Sequence, residues 1–261
     1  MKVTINGIEM GYEILGQTGQ PIVLIHGFGL DRSIWRDVAK RYLANHRVIL
    51  PDVRGHGESD APKGAYSMTS LAKDIKHLLA FLGVSKAIIC GHSMGGYIAL
   101  AFAANSPERL AGLGLITTRA KPDSEDGRAG RYEMVEKVQE EGSIALARSL
   151  APKLSKDEAI ISSMRDLIAK SPADGIIGAL QAMAERPDRR DLLPKIKVPA
   201  LVIAGKEDQI INLQDAAEMA EALPKGEFLP INEAGHMPML ETKSELGQGL
   251  LSLIHRAAES Q

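Results

Sequence analysis

Short, uninterrupted runs of apolar residues recur along the chain and predict strands that are buried on both faces. A strand covered on both sides has no solvent face, so it loses the alternation of apolar and polar positions seen in half-exposed strands. The runs stand at residues 21–25, 48–50, 87–90, 113–116 and 200–204, and a last strand is predicted at residues 227–230. They predict a central sheet, with most of its strands parallel.

Helical patterning separates these runs, so strands and helices alternate. The helical segments lie near residues 35–43, 69–82, 94–105, 212–222 and 242–257. This alternation predicts an α/β fold with helices on both faces of a mostly parallel sheet. Ligands of such sheets bind at the carboxyl ends of the strands. Ahead of the first run, residues 2–6 and 10–15 are predicted as strands joined by a hairpin turn at Asn6-Gly7.

Residues 119–191 break this alternation and contain no obvious strand. We interpret them as a helical cap inserted into a core made of residues 1–118 and 192–261. Amphipathic stretches at 131–141 and 156–169 favour helices whose charges face solvent. The inner face is then expected to be aliphatic, formed by residues such as Met134, Val138, Leu146, Ile160, Ile161, Met164 and Met183.

Composition excludes several classes of function. The 261 residues carry a formal net charge of −2, which offers no electrostatic reason to bind nucleic acid or an anionic membrane. No run of about 18 apolar residues exists, and the start of the chain lacks the apolar segment of a signal peptide. The single cysteine, Cys90, excludes an internal disulfide and is expected in the core. The cytoplasm is the expected compartment, and the oligomeric state is left open.

The stretch Gly91-His92-Ser93-Met94-Gly95 is the strongest chemical signal in the chain. It stands between an apolar strand and an Ala-rich helix, where a tight turn leaves no room for side chains at the two glycines. Such a turn exposes the hydroxyl of Ser93 as a nucleophile above the helix N-terminus. The N–H of Met94 and the positive helix end can stabilise an oxyanion.

A serine nucleophile needs a base and a carboxylate that orients the base. His236 is the expected base, because it lies in a loop after the last predicted strand. The loop after strand 200–204 offers two carboxylates. We favour Asp208, whose shorter side chain suits a tight turn, and Glu207 stays a minor alternative. The remaining histidines in helices or surface turns are not expected to be catalytic.

A second oxyanion donor is predicted in the loop after the first buried parallel strand, where glycines let the backbone approach the site. Phe28 N–H is the candidate, and His26 is expected to shape this loop through hydrogen bonds. Asp52 and Arg54 are interpreted as structural. No phosphate-binding glycine motif and no cluster with metal-ligand spacing occurs, so neither a cofactor nor a metal is expected.

Five motifs together resemble the α/β-hydrolase family, and the resemblance covers nearly the whole chain. They are Ile25-His26-Gly27-Phe28-Gly29, Asp52-x-Arg54-Gly55-His56-Gly57-x-Ser59, Gly91-His92-Ser93-Met94-Gly95-Gly96, Gly205-x-x-Asp208 and Ala234-Gly235-His236. The resemblance implies an eight-stranded sheet with a helical cap and a Ser93–His236–Asp208 triad. It also implies that the Phe28 and Met94 amides form the oxyanion hole. Ser93 departs from the dehalogenases and epoxide hydrolases of the family, which have an aspartate there.

Within the family, the sequence resembles the esterase and 3-oxoadipate enol-lactonase branch. We therefore expect a serine hydrolase that cleaves small or medium carboxylic esters through an acyl-enzyme. An enol-lactonase is an alternative and would need a cation for the substrate carboxylate. Candidates for that cation are Arg119, Lys121, Arg128 and Arg131. Perhydrolysis, C–C bond hydrolysis and a ligand-binding receptor on the same scaffold are further alternatives.

Overall fold

Eight strands form one sheet in the computed structural model, which describes residues 1–260. They are β1 (Lys2–Ile5), β2 (Ile8–Leu15), β3 (Ile22–Ile25), β4 (Val48–Pro51), β5 (Ala87–His92), β6 (Leu110–Ile116), β7 (Ala200–Gly205) and β8 (Gly226–Ile231). The order across the sheet is β1-β2-β4-β3-β5-β6-β7-β8. The β1–β2 and β2–β4 pairs are antiparallel and the other pairs are parallel, which confirms the predicted mostly parallel sheet.

Burial along the strands explains why their sequences are continuously apolar. Every residue of β3, β4, β5, β6 and β7 is buried, whereas β1 alternates between exposed and buried positions. Cys90 lies in β5 with no exposed surface, as predicted, and burial raises the pKa of its thiol. At the antiparallel edge, Asn6 and Gly7 join β1 to β2 with φ angles of 46° and 78°. Positive φ at both positions is what a tight hairpin turn requires.

Helices cover the sheet on both faces. The helices outside the segment between β6 and β7 are α1 (Arg36–Tyr42), α2 (Met68–Phe81), α3 (Met94–Asn105), α8 (Leu213–Ala222), α9 (Pro238–Glu241) and α10 (Lys243–Glu259). Helix α3 packs on β5 and β6 with α2 beside it, while α10 packs on β6 and β7 with α1 beside it. Among the described residues, none of the helices is both long enough and apolar enough to cross a membrane.

Four helices separate β6 from β7, and we call this segment (residues 119–191) the helical insertion. They are α4 (Glu125–Glu141), α5 (Ser143–Leu154), α6 (Glu158–Ala169) and α7 (Ala173–Ala184). No strand occurs in this described segment, in agreement with its sequence pattern. The predicted helical stretch 131–141 lies within α4, and the stretch 156–169 contains α6. Half of the residues of α5 and most of those of α7 are buried, and both helices pack against other helices of the insertion.

The helical insertion meets the core through a close approach of two backbones. Gly175, in the first turn of α7, lies directly against Gly55 in the loop after β4. A Cβ atom on Gly175 would overlap the carbonyl oxygen of Gly55, which belongs to a backbone that cannot rotate away. This contact therefore needs a residue without a side chain at position 175.

We expect Gly175→Ala to lower the free energy of unfolding by about 1–3 kcal/mol, because the added methyl group forces the insertion away from the core. Gly130→Ala is the matched control. Gly130 is also a helical glycine of the insertion, but a Cβ there has no atom within 4 Å. This control should gain about 0.5–1 kcal/mol from the better helix propensity of alanine. Urea denaturation measures both effects, and equal effects of the two substitutions would refute the packing argument.

Candidate active site

Ser93 occupies the turn between β5 and α3 in a strained backbone conformation, with φ 52° and ψ −115°. Such a conformation costs on the order of 1–3 kcal/mol and persists only where neighbouring groups hold it. Here the N–H of Ser93 donates to the carbonyl of Ile116 at 2.9 Å. The hydroxyl of Thr118 donates to the carbonyl of Ser93 at 2.7 Å. The end of β6 therefore holds the turn in place.

The glycines on either side of Ser93 allow the turn to be this tight. A Cβ atom on Gly91 would overlap the carbonyl of Gly95. A Cβ atom on Gly95 would lie 2.5 Å from the carbonyl oxygen of Ile25, at the end of β3. The prediction that neither position can hold a side chain is confirmed, although the atom that excludes one at Gly95 belongs to another strand.

The loops after β7 and β8 bring Asp208 and His236 together. Nδ1 of His236 is 2.8 Å from Oδ2 of Asp208, and both side chains are almost completely buried. The other carboxylate oxygen, Oδ1, accepts from the N–H groups of Ile210 at 2.7 Å and Ile211 at 3.1 Å. Glu207 instead pairs with Lys156 at 2.9 Å near the surface. Of the two carboxylates that the sequence left open, Asp208 is the one that contacts the imidazole.

Ser93 and His236 line one cavity of about 70 Å³, together with Phe28. The helical insertion supplies apolar walls through Leu150, Leu154 and Met183. Met183 is the one residue of the expected inner face that lines this cavity. The cavity therefore lies between the carboxyl ends of the strands and the insertion, where the fold places a ligand.

The two candidate oxyanion donors lie on elements next to Ser93. Met94 is the first residue of α3, so its N–H has no carbonyl partner within the helix. The loop of Phe28 follows β3, and a Cβ on its neighbour Gly27 would be 3.4 Å from the Cβ of Ser93. Backbone N–H groups at these positions can bind the negatively charged oxygen of a substrate carbonyl that Ser93 attacks.

His26 fixes the shape of the loop that carries Phe28, as predicted. Its Nδ1–H donates to the carbonyl of Gly27 at 2.8 Å, and its Nε2 accepts from the N–H of Val53 at 3.0 Å. This pattern requires the neutral imidazole, and burial lowers the pKa of His26 to about 4. Beside it, burial and, to a smaller extent, the nearby His26 together lower the pKa of His56 to about 3.

The cavity also contains two guanidinium groups, so the expectation of a purely aliphatic inner face is wrong. Arg119 and Arg131 line the cavity next to Ser93. Together with Arg186 they surround the carboxylate of Asp123 at 2.6–2.7 Å. Burial opposes ionisation of Asp123, but hydrogen bonds from Arg186 and Arg131 outweigh it and hold its pKa well below the usual range.

Arg119 and Arg131 are two of the four candidate cations named from the sequence, whereas Asp123 and Arg186 were not singled out, because they meet the other two only in the folded chain. Three cations share one buried anion, so the cluster carries excess positive charge beside the cavity. The other two cations considered from the sequence do not line the cavity. Lys121 pairs with Asp215 at 2.5 Å, and Arg128 pairs with Glu185 near the surface.

Two further residues that the sequence did not single out hold the backbone of His236. Nε2–H of His92 donates to the carbonyl of His236 at 2.8 Å, and the hydroxyl of Thr117 donates to the same oxygen at 3.2 Å. Burial lowers the pKa of His92 well below its ordinary value. One sequence feature could have identified them, because both residues lie at the carboxyl ends of neighbouring strands, β5 and β6.

The buried, neutral histidines predict a loss of stability in acid. The unfolded chain binds these protons near pH 6.5, whereas the folded chain binds them only near pH 4 for His26 and pH 3 for His56. Above pH 6.5 these histidines do not reduce the free energy of unfolding. As the pH drops below 6.5, the free energy of unfolding falls by up to about 1.4 kcal/mol per pH unit for each histidine. Urea denaturation at pH 7, 6 and 5 measures this slope.

His56→Asn separates this effect from general acid denaturation. Its amide group can still donate to the carbonyl of Arg54, which Nδ1 of His56 contacts at 3.1 Å. The variant should show a smaller loss of stability between pH 6.5 and pH 5 than the parent protein. Equal losses in both proteins would show that His56 does not contribute to the acid sensitivity.

Comparison with known proteins places this site in a family. A model described as "alpha/beta hydrolase fold" matches residues 20–132 and 145–243. A thermophilic esterase from Thermogutta terrifontis, solved with malate bound, superposes with a TM-score of 0.94, is 36% identical and covers 98% of this chain and 99% of its own. 3-Oxoadipate enol-lactonase 2 of Acinetobacter baylyi is 27% identical over 97% of this chain and 96% of its own length.

A longer relative widens the range of chemistry found among similar proteins. The dihydrolipoyllysine-residue acetyltransferase component of the acetoin cleaving system of Pseudomonas putida is 32% identical over 94% of this chain. This chain spans 66% of that protein's length. The match to the family model covers most of the chain and includes the strands and loops that carry Ser93, Asp208 and His236. The chain belongs to the alpha/beta hydrolase fold family.

Proposed function

We propose that this protein hydrolyses carboxylic esters of small to medium acyl groups through an acyl-enzyme on Ser93. The observation that carries the proposal is the 2.8 Å contact between His236 and Asp208, with His236 and the strained Ser93 lining one cavity. The similarity to an esterase and to an enol-lactonase supports hydrolysis of an acyl–oxygen bond. Fold alone does not decide the substrate, so the proposal rests on the site.

The mechanism follows from the roles of these groups. With Nδ1–H directed at Asp208, the lone pair on Nε2 of His236 is free to accept the proton of Ser93. The Ser93 oxygen then attacks the ester carbonyl, and the N–H groups of Phe28 and Met94 bind the resulting oxyanion. The protonated imidazole returns its proton to the alcohol, which leaves. Water enters and loses a proton to the same nitrogen as it attacks the acyl carbonyl, and the imidazolium returns that proton to the Ser93 oxygen as the acid leaves.

In this proposal, residues 119–191 act as a cap over the reacting groups. Leu150 and Leu154 from α5 and Met183 from α7 form an apolar wall of the cavity. A water-excluding wall strengthens the interactions between the oxyanion and its backbone donors. The small volume of the cavity, about 70 Å³, favours short acyl groups over long ones.

Ser93→Ala should reduce the turnover of p-nitrophenyl butyrate by about three orders of magnitude or more, because the variant lacks the nucleophile. Ser106→Ala is the matched control. Ser106 is a buried serine at the other end of α3, so this variant should keep wild-type turnover. Steady-state kinetics with equal amounts of folded protein measures both. Substantial turnover by Ser93→Ala would remove Ser93 from the mechanism.

The arginine cluster favours a second candidate function, the hydrolysis of esters or lactones that carry a carboxylate. Arg119 and Arg131 lie in the same cavity as Ser93, and Asp123 neutralises only part of the positive charge. The enol-lactonase relative acts by name on a carboxylated lactone, and the Thermogutta esterase binds malate, a dicarboxylate. A guanidinium beside the reacting serine would anchor such a group.

A pair of substrates of similar size tests this candidate. We expect Arg119→Gln to lower kcat/KM for p-nitrophenyl hemisuccinate by about 10-fold or more, since a charge-assisted hydrogen bond contributes about 1.5–3 kcal/mol. The value for neutral p-nitrophenyl butyrate should change little. Lys121→Gln is the control, because Lys121 pairs with Asp215 and does not line the cavity. A parallel loss on both esters would assign Arg119 a structural role only.

A further inference from the structure

The helical insertion contacts the loop that carries His236 through the end of α5. The N–H of His236 donates to the carbonyl of Leu154, the last residue of α5, at 3.2 Å. The hydroxyl of the next residue, Ser155, donates to Oε1 of Glu241 at 2.5 Å. Both contacts connect the insertion to the segment that positions the imidazole, and Ser155 is itself buried.

Glu241 extends this contact to both sides of His236. Its Oε2 accepts from the N–H of Gly235 at 2.8 Å and from the N–H of Met237 at 3.1 Å. One carboxylate therefore binds the amides immediately before and after the histidine, while its second oxygen binds the insertion. A backbone held at both neighbours has little freedom to shift between them.

The opposite side of His236 is held by the core alone. Its carbonyl accepts from His92 and Thr117, and its ring contacts Asp208. A movement of the insertion would leave these contacts intact. It would break the bond from His236 to Leu154 and the bond from Ser155 to Glu241. The Ser155–Glu241 bond also borders a cleft of about 370 Å³ that is lined by residues of both the insertion and the core. Few other atoms therefore pack across this part of the contact between insertion and core.

Leu154 connects this arrangement to the substrate. Its side chain lines the cavity that contains Ser93, while its carbonyl accepts from the N–H of His236. A molecule that fills the cavity therefore contacts the same residue that holds the histidine backbone. Small displacements of a catalytic base matter, because an error of about 1 Å can reduce a rate by roughly 100-fold.

We propose that Ser155 and Glu241 are positioning residues that couple the seating of the helical insertion to the placement of His236. The role rests on the proposed ester hydrolysis, in which His236 is the base. When the insertion is seated over an occupied cavity, Leu154 binds the N–H of His236, and Ser155 fixes the Glu241 carboxylate that binds the amides on both sides of the histidine. When the insertion lifts, the bonds made by Leu154 and Ser155 break, Glu241 loses its fixed orientation, and the histidine loses alignment with Ser93.

Kinetics of three variants test the coupling, with rates measured at saturating p-nitrophenyl butyrate and referred to folded protein. Ser155→Ala should lower kcat by about 5–10-fold and change KM by less than about 2-fold, because it affects alignment rather than binding. Glu241→Ala should lower kcat further, since the amides on both sides of His236 lose their acceptor. Glu241→Gln should restore most of the rate, because its amide oxygen still accepts from both N–H groups and its NH₂ can donate to Ser155.

Ser143→Ala is the matched control for Ser155→Ala. Ser143 is also a buried serine of the insertion, but its hydroxyl donates to the carbonyl of Ser171 within the insertion, at 2.6 Å. This variant should lose stability to a similar degree and keep the wild-type kcat. Equal kcat values for Ser155→Ala and Ser143→Ala would overturn the proposal and assign Ser155 a purely structural role.

Hydrogen exchange of the segment around residues 235–237 gives a readout that needs no substrate. The amides of Gly235 and Met237 should exchange faster in Ser155→Ala and Glu241→Ala than in the wild type or in Ser143→Ala. Unchanged exchange in Ser155→Ala would overturn the coupling. If the wild type hydrolyses no ester, the proposed function fails, and this comparison still decides whether Ser155 holds the loop.

Discussion

The tight turn at Ser93 is the constraint on which the site depends. A serine at φ 52° cannot keep that conformation by itself, and here the carbonyl of Ile116 and the hydroxyl of Thr118 hold it. Both belong to β6 or its end, the strand next to β5. The parallel pairing of these strands therefore fixes where the serine hydroxyl can lie. Because β7 and β8 continue the same parallel sheet, their loops bring Asp208 and His236 to the same edge.

Sequence patterns could predict the parts of this arrangement that depend on local chemistry. Continuous apolar runs predicted β3 to β7, which are buried along their whole length, although β6 begins at Leu110 rather than at residue 113. The hairpin signal predicted β1 and β2, although β2 begins at Ile8 rather than at residue 10. The glycines around Ser93 indicate a tight turn because only residues without side chains fit there. The position of His236 after the last strand could be predicted because loops at one sheet edge converge.

Contacts made by the helical insertion could not be predicted, because they depend on how distant segments close on each other. Arg131 could be named as a candidate cation, among charges expected to face solvent, but no local pattern showed that it contacts buried Asp123 beside the cavity. Glu241 stands in a short helix after His236 and has no distinctive local pattern. Its importance emerges only when the amides of the histidine loop and Ser155 are seen around its carboxylate. Charged residues are normally exposed to solvent, so the sequence gives the wrong environment for the few that are buried.

A covalent intermediate on Ser93 is the most direct consequence of the proposed chemistry. Rapid acid quenching during turnover of p-nitrophenyl butyrate, followed by mass spectrometry of the intact and digested protein, looks for that intermediate. We expect one butyryl group per chain, located on the peptide that contains Ser93. Ester hydrolysis without any adduct, or with the acyl group on another residue, would contradict it.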